Sequence, residues 1–323
     1  MRELVIGREE AHQRLDKYLQ KYFENASAGF LYKMMRKKNI VRNGKKVQGK
    51  EILCEGDVIR VFFSDETFAA MRGGERALGL YEKLAELEDK DVDVIYEDAD
   101  ILVINKPVGM LSQKAKEGDV SLVEEVMAYT LASGRLTDEQ LRTYKPAVCN
   151  RLDRNTSGIV IAGVSLYGLQ HMSALLRERG LDKYYWCLVC GEVKESALIR
   201  GYLKKDEASN KVEVLRSERE GADPIETEYH PLKTNGRVTL LSVKLITGKS
   251  HQIRAHLASI GHPVVGDYKY GTETVNRRFC SKYGVRSQML HARTVKVPGY
   301  PEWTAPLPEL FARVLEAEGL GGM

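Results

Sequence analysis

The chain has 323 residues, more than a single hydrophobic core ordinarily serves, so two domains are expected. Hydrophobic residues at 43% and charged residues at 29% describe a globular chain with a solvated surface. A net charge of +4 and a pI near 8.6 are too mild to establish a nucleic-acid partner from bulk charge. No apolar run approaches the ~20 residues that span a bilayer, so no membrane partner is expected.

Five cysteines, Cys54, Cys149, Cys187, Cys190 and Cys280, are scattered and odd in number. That argues against a disulfide scaffold and for a reducing compartment. The first residues, "MRELVIGREEAHQRLDK", lack the apolar core of a signal peptide, and the expectation is a cytoplasmic protein.

In chain order, "RLDKYLQKYF" carries Leu15, Tyr18, Leu19, Tyr22 and Phe23 at helical spacing, and "GFLYKMMRKKN" continues with a second short helix. "IVRNGKKVQGKEILCEGDVIRVFF" alternates like strands, with Asn43-Gly44 marking a tight turn. Residues 1–64 are therefore read as a small helix-and-sheet module. Between Lys33 and Lys50 lie eight basic residues and no acid: Lys33, Arg36, Lys37, Lys38, Arg42, Lys45, Lys46 and Lys50. A solvated face is one explanation; a contact with a phosphate backbone is the favoured one.

Residues 65–90 change character, with Gly73-Gly74 followed by a charged helical pattern, and are read as a partly helical linker. The second domain, 91–323, opens with a strand, a turn at Asp98-Ala99-Asp100 and a strand ended by Lys106-Pro107. Helices are expected over Leu122–Ser133 and over "LYGLQHMSALLRERG", the latter closed by Gly180. Strands follow in "KYYWCLVCGEV", "ETEYHPLKTN" and "VTLLSVKLITG", then a short helix in "SHQIRAHLASIG" ending at Gly261 and a closing helix in "APLPELFARVLEAEG". Many strands and few helices predict an α+β fold with a mixed, largely antiparallel sheet.

Three clusters carry chemistry. In "VCNRLDRNTSGIVIAG", Asp153 stands between Arg151 and Arg154 ahead of a donor-rich Asn-Thr-Ser-Gly loop. Flanking guanidiniums favour a charged carboxylate, usable as a nucleophile or base; a salt-bridged turn aspartate is the plainer alternative. In "TGKSHQIRAHLASIGHPVVGDYKYG", His251 and His256 are five apart, off the i, i+4 face of a helical zinc pair, with no acid at ligand spacing. Arg254 shares a face with His251 and is a candidate to orient a distant carboxylate, or else an ordinary snorkelling residue. In "DKYYWCLVCG", alternation separates Tyr185 from its neighbours, either to stack on a base or to fill the core. Cys187 and Cys190 sit on the same strand pattern with no second C-x-x-C, and read as core. No metal and no nucleotide cofactor are expected.

The order "NKPVGMLSQ", "NRLDRNTSG", "KYYWCLVCG", "GKSHQIRAHLASIGHPVVGDYKYG", "MLHARTVKVP" resembles the RluA-type family of pseudouridine synthases over roughly 92–311. Residues 1–64 resemble an S4 RNA-binding domain. The resemblance implies isomerisation of specific RNA uridines to pseudouridine, without a cofactor, in 23S-type ribosomal RNA or else in transfer RNA; a monomer is expected. It matches Asp153 to the catalytic aspartate, Tyr185 to the tyrosine against the target base and Arg254 to the basic partner of the aspartate. Arg151 and Arg154 are then left to contact phosphate or displace the base. Asn150 departs from the histidine that many members carry. Two rival classes stay open on the residues alone: a non-catalytic RNA-binding or ribosome-assembly factor, and a hydrolytic glycosidase, which would ordinarily need a second carboxylate.

Overall fold

A computed structural model describes residues 1–73, 84, 92–116, 118–206 and 211–322. The chain divides into two compact units, one formed by 1–103, 116–150 and 161–174, the other by 104–115, 151–160 and 175–323.

The first unit begins with β1 (Arg2–Val5), α1 (Leu15–Tyr22), α2 (Ala28–Arg36), β2 (Ile40–Arg42), β3 (Lys45–Lys46), β4 (Val58–Val61) and α3 (Asp65–Arg72). The four strands form an antiparallel sheet in the order β1-β4-β2-β3. Arg42 pairs with Lys45 across a two-residue turn in which Asn43 (φ 50) and Gly44 (φ 73) are both left-handed, the hairpin geometry that matches strand twist. The helical spacing in "RLDKYLQKYF" buries Leu15, Tyr18, Leu19 and Phe23 with Leu31, Met35 and Ile59 in one cluster. The expected linker is helical at its start, as α3; residues 74–83 and 85–90 lie outside the described residues.

The rest of this unit holds β5 (Val94–Glu97), the first half of β6 (Ile101–Lys106), α4 (Leu122–Ala132), α5 (Asp138–Thr143), β7 (Ala147–Val148), the end of β8 (Ser157–Gly163) and most of α6 (Leu166–Arg177). Asp98 makes the expected turn, its Oδ1 accepting from the amides of Asp100 and Ile101. α6 does not close on Gly180 as expected. The left-handed residue is Arg179 (φ 58), and the Gly180 amide bonds back to the Leu175 carbonyl. The termination motif is the expected kind, shifted by one residue.

The second unit continues with β9 (Asp182–Cys190), β10 (Ala197–Asp206), β11 (Lys211–Leu215), β12 (Ala222–Thr234), β13 (Val238–Leu245), α7 (Gln252–Ser259), α8 (Glu273–Tyr283), β14 (Leu290–Lys296), β15 (Trp303–Thr304) and α9 (Glu309–Ala317). Its sheet runs β11-β10-β12-β13-β9-β14, antiparallel throughout, with β15 on β14. The first residues of β8 lie parallel to β14, making the sheet mixed. The fold is thus α+β and largely antiparallel. The β10-β11 pair has no counterpart among the expected strands, because β10 is mostly exposed and lacks a clean apolar alternation and β11 is only five residues long.

Gly158 is fixed by that parallel contact. Its φ is +107, and a methyl there would stand 2.2 Å from the Ala292 carbonyl oxygen of β14. Gly158→Ala is expected to cost about 4 kcal/mol or more, read as a loss of soluble protein or a sharply lowered unfolding midpoint.

Two imidazoles are buried in neutral form. His256 reaches Thr227 Oγ1 at 2.9 Å; His291 reaches Ser157 Oγ at 2.9 Å and the Ala305 carbonyl at 3.4 Å. Burial lowers each from 6.5 to about 4, with the Ala305 contact opposing and the Arg293 charge adding at His291. The unfolded chain takes up protons below about 6.5 whereas the folded one resists until about 4. Stability is therefore intact above 6.5 and falls as pH drops towards 4. The urea midpoint should be lower at pH 5 than at pH 7, and His256→Gln should shrink that difference. Equal midpoints in the wild type would refute it.

Candidate active site

The Asp153 loop is shaped by carbonyl capture. Ser112 Oγ donates to the Leu152 carbonyl at 2.9 Å and accepts from the Leu152 amide at 3.0 Å. Lys106, at the end of β6 and fully buried, donates from Nζ to the carbonyls of Pro107 and Met110 at 2.9 Å and of Arg154 at 3.2 Å. Burial lowers its ammonium to about 8, against the opposing charge of Asp153. The Gly109 amide also binds the Arg154 carbonyl, and Arg154 Nε returns a bond to the Gly109 carbonyl at 3.0 Å. Residues 106–112 thus fasten the loop on three sides. A turn closed by the Thr156 amide on the Asp153 carbonyl then starts β8.

Asp153 is oriented from a distance. Arg254 of α7 donates from Nη1 to Asp153 Oδ2 at 2.7 Å. Behind it, Arg254 grips Asp267 in a bidentate pair, Nε to Oδ2 at 2.7 Å and Nη2 to Oδ1 at 2.9 Å. Asp267 has no exposed side-chain surface, against 27% for Asp153. Burial would raise the Asp267 carboxyl, but Arg254 and the amides of Lys269 and Tyr270 outweigh it and hold it below its ordinary value. Burial would likewise lower Arg254, and its two carboxylates raise it instead. The Gly266 turn that delivers Asp267 admits no side chain, since a methyl would meet the Ser287 carbonyl oxygen at 2.2 Å.

His251 caps α7 in the left-handed region (φ 55). The Tyr270 hydroxyl accepts from the Val212 amide at 2.9 Å and shares a hydrogen bond with His251 Nδ1, also at 2.9 Å. The other ring nitrogen, Nε2, lies 3.9 Å from Asp153 Oδ2. Burial lowers the His251 pKa, opposed by Asp153 and reinforced by Arg254 and Lys269. Tyr185 on β9 is 6% exposed, and burial together with the Asp153 charge pushes its phenol upward, so it keeps its proton.

Asp153, Tyr185, His251 and Arg254 line a pocket that opens to solvent. Asp153, Tyr185, Arg254 and Arg151 all face it. Neither arginine beside Asp153 pairs with it among the described residues: Arg151 is exposed, and Arg154 turns to Gly109. Of the basic window in the other unit, Lys33, Arg36, Lys37, Lys38, Lys45 and Lys46 are exposed. Arg42 is not a free cation, being half-buried and paired with Asp57 at 2.7 Å. Sequence reasoning missed Asp267, Lys106 and Tyr270. The signal for Asp267 was an acid between a glycine and two aromatics soon after Arg254. Among the described residues, no three His, Cys, Asp or Glu side chains gather as metal ligands, and no helix is long and apolar enough to cross a membrane.

Residues 100–259 match the family described as RNA pseudouridylate synthase. A ribosomal large subunit pseudouridine synthase C of Vibrio vulnificus (strain CMCP6) is 30% identical, over 97% of this chain and 95% of its own. This chain belongs to the RNA pseudouridylate synthase family. The protein of that name from Escherichia coli (strain K12) is 29% identical over 97% of this chain and 95% of its own. Among solved structures, human RNA pseudouridylate synthase domain containing 4 shares the fold, with a TM-score of 0.58 and 21% identity over 76% of this chain and 97% of that one. The chain is therefore an RNA pseudouridine synthase of the RluA type, an isomerase acting on RNA. Of the three readings the residues alone left open, family membership selects this one.

Asp267→Asn removes the charge that anchors Arg254. Breaking a buried pair costs about 3–5 kcal/mol, here shared between stability and the placement of Asp153. The expected outcome is a lowered unfolding midpoint and a kcat reduced by at least about tenfold with KM little changed, checked by steady-state kinetics beside thermal unfolding.

Proposed function

We propose that Asp153 is the catalytic carboxylate of the isomerisation, and that the substrate is large-subunit ribosomal RNA of the 23S type. The observation that carries the first part is a part-exposed carboxylate in a pocket, ion-paired to an arginine that is itself anchored by a buried carboxylate. The relatives' names support the second.

The reaction breaks the N1–C1′ bond, turns the uracil and joins C5 to C1′, without redox change or a group donor. A base inside folded RNA must first leave its stack to reach the pocket. The carboxylate then attacks C1′, removes a proton from C2′, or attacks C6 of the base; each route uses its charged form. Arg254 holds Asp153 in one rotamer, and the protonated Tyr185 closes the pocket against the base. A confined pocket retains the free uracil between bond breaking and bond making. Arg151 is assigned to the RNA backbone beside the pocket, and Arg154 through its exposed surface.

Residues 1–64 are proposed as an S4-like RNA-binding module, with Lys33, Arg36, Lys37, Lys38, Lys45 and Lys46 on phosphate, 65–90 as linker and 91–323 as the catalytic domain. Arg42 is assigned to holding the hairpin through Asp57. The protein is proposed to act as a cytoplasmic monomer.

The test is tritium release from large-subunit RNA labelled at uridine C5, since the new bond expels that hydrogen. Wild type should release it, and Asp153→Asn should be slower by at least about 10²–10⁴-fold with RNA binding retained. Release of free uracil would indicate hydrolysis instead. Equal release by the variant would remove Asp153 from the chemistry.

A further inference from the structure

Lysines on β9 and on the segments beside it are matched to acids, with one exception among the described residues. Lys244 pairs with Asp182 at 2.8 Å, Lys249 with Asp223 at 2.8 Å and Lys296 with Glu302 at 2.7 Å. Lys183 is half-buried, and among the described residues its ammonium has no hydrogen-bond or ion-pair partner. A half-buried cation without an acid is costly to keep unless something else neutralises it.

Its position says what that is. Lys183 and Tyr185 are two apart on β9 and so point to the same face of the sheet. The β13–β9 register pairs Val243 with Tyr185 and Lys244 with Tyr184, and Leu245, the next residue of β13, lines the pocket. A methyl built on Gly248 would stand 3.6 Å from Lys183 Nζ, so the ammonium lies against the Thr247–Ser250 turn, next to the pocket residues Lys249 and His251. Two strand residues span about 6.6 Å, comparable to the step from a nucleobase across its ribose to the phosphate.

We propose that the Lys183 ammonium is a phosphate-binding site, holding a phosphodiester of the nucleotide whose base enters the Asp153 pocket. This rests on the reading of that pocket as the uridine site. Burial lowers the Lys183 pKa with no acid opposing it, as fits a cation whose counter-ion arrives with the ligand. Matched neighbours would have to give up an acid before taking a phosphate; Lys183 does not. The contact positions the nucleotide and takes no part in bond making.

The experiment compares wild type, Lys183→Met, Lys183→Gln and Lys183→Arg on deproteinised large-subunit RNA. Equilibrium binding is measured across a potassium chloride series, tritium release gives kcat and KM, and thermal unfolding monitors the fold. Lys183→Met and Lys183→Gln should raise KM about tenfold with kcat within about threefold, and flatten the slope of log affinity against log salt by about 0.7, the effect of one phosphate contact on a single strand. Lys183→Arg should restore both. Unchanged salt slopes in well-folded Met and Gln variants would overturn the inference, as would a loss of kcat alone. The binding slope needs no turnover, so a wild type that binds this RNA without releasing tritium would refute the proposed substrate and still decide the role of Lys183.

Discussion

One guanidinium joins two carboxylates of opposite situation. Arg254 is clamped in two hydrogen bonds by a fully buried Asp267 and spends its remaining forward donor on a part-exposed Asp153. A lone buried arginine would be prohibitively desolvated, and a lone Asp153 would be free to rotate into solvent. With Asp267 behind it the pair is neutral overall, so Asp153 is held by a directed hydrogen bond and the three groups keep one net negative charge. The rest of the second unit serves this chain of charges: the Gly266 turn admits Asp267, α7 presents Arg254, and the parallel contact of β8 with β14 starts the strand next to Asp153.

The backbone on the other side of Asp153 is held by capture rather than by charge. Ser112 takes both polar groups of Leu152, and Lys106 gathers three carbonyls, including that of Arg154. Residues on either side of Asp153 are thereby immobilised while its side chain stays available. This arrangement explains why Arg154, adjacent in sequence, is no partner for the carboxylate: its Nε is committed to Gly109. In the proposed reaction, which releases and recaptures the same base, a carboxylate fixed in this way would keep its geometry through both steps.

Hairpin and helix signals were legible where local rules act alone. Asn43-Gly44 specifies its turn through left-handed backbone preference, and the α1 spacing specifies its buried face. The α6 terminus was legible to within one residue, since Arg179 accepts the left-handed conformation next to an available glycine. The β10-β11 pair was not legible, because a mostly exposed strand such as β10 needs no apolar alternation and β11 is short. In the site, Asp153, Tyr185 and Arg254 were singled out by chemistry and by order of motifs. Asp267 and Lys106 were passed over, because a buried charge with its partners satisfied has the same composition as a surface one.

The sequence by itself determined the family, the α+β class and the residues worth suspecting, since these follow from local periodicity and from motif order along the chain. Only the tertiary structure decided who pairs with whom. Asp153 lies between two arginines in sequence and bonds to a third, 101 residues away. Arg42 looks like one of a basic run and is committed to Asp57, whereas Lys183 looks ordinary and has no acid partner among the described residues. Pairing depends on distance and desolvation, and neither is a property of neighbouring letters.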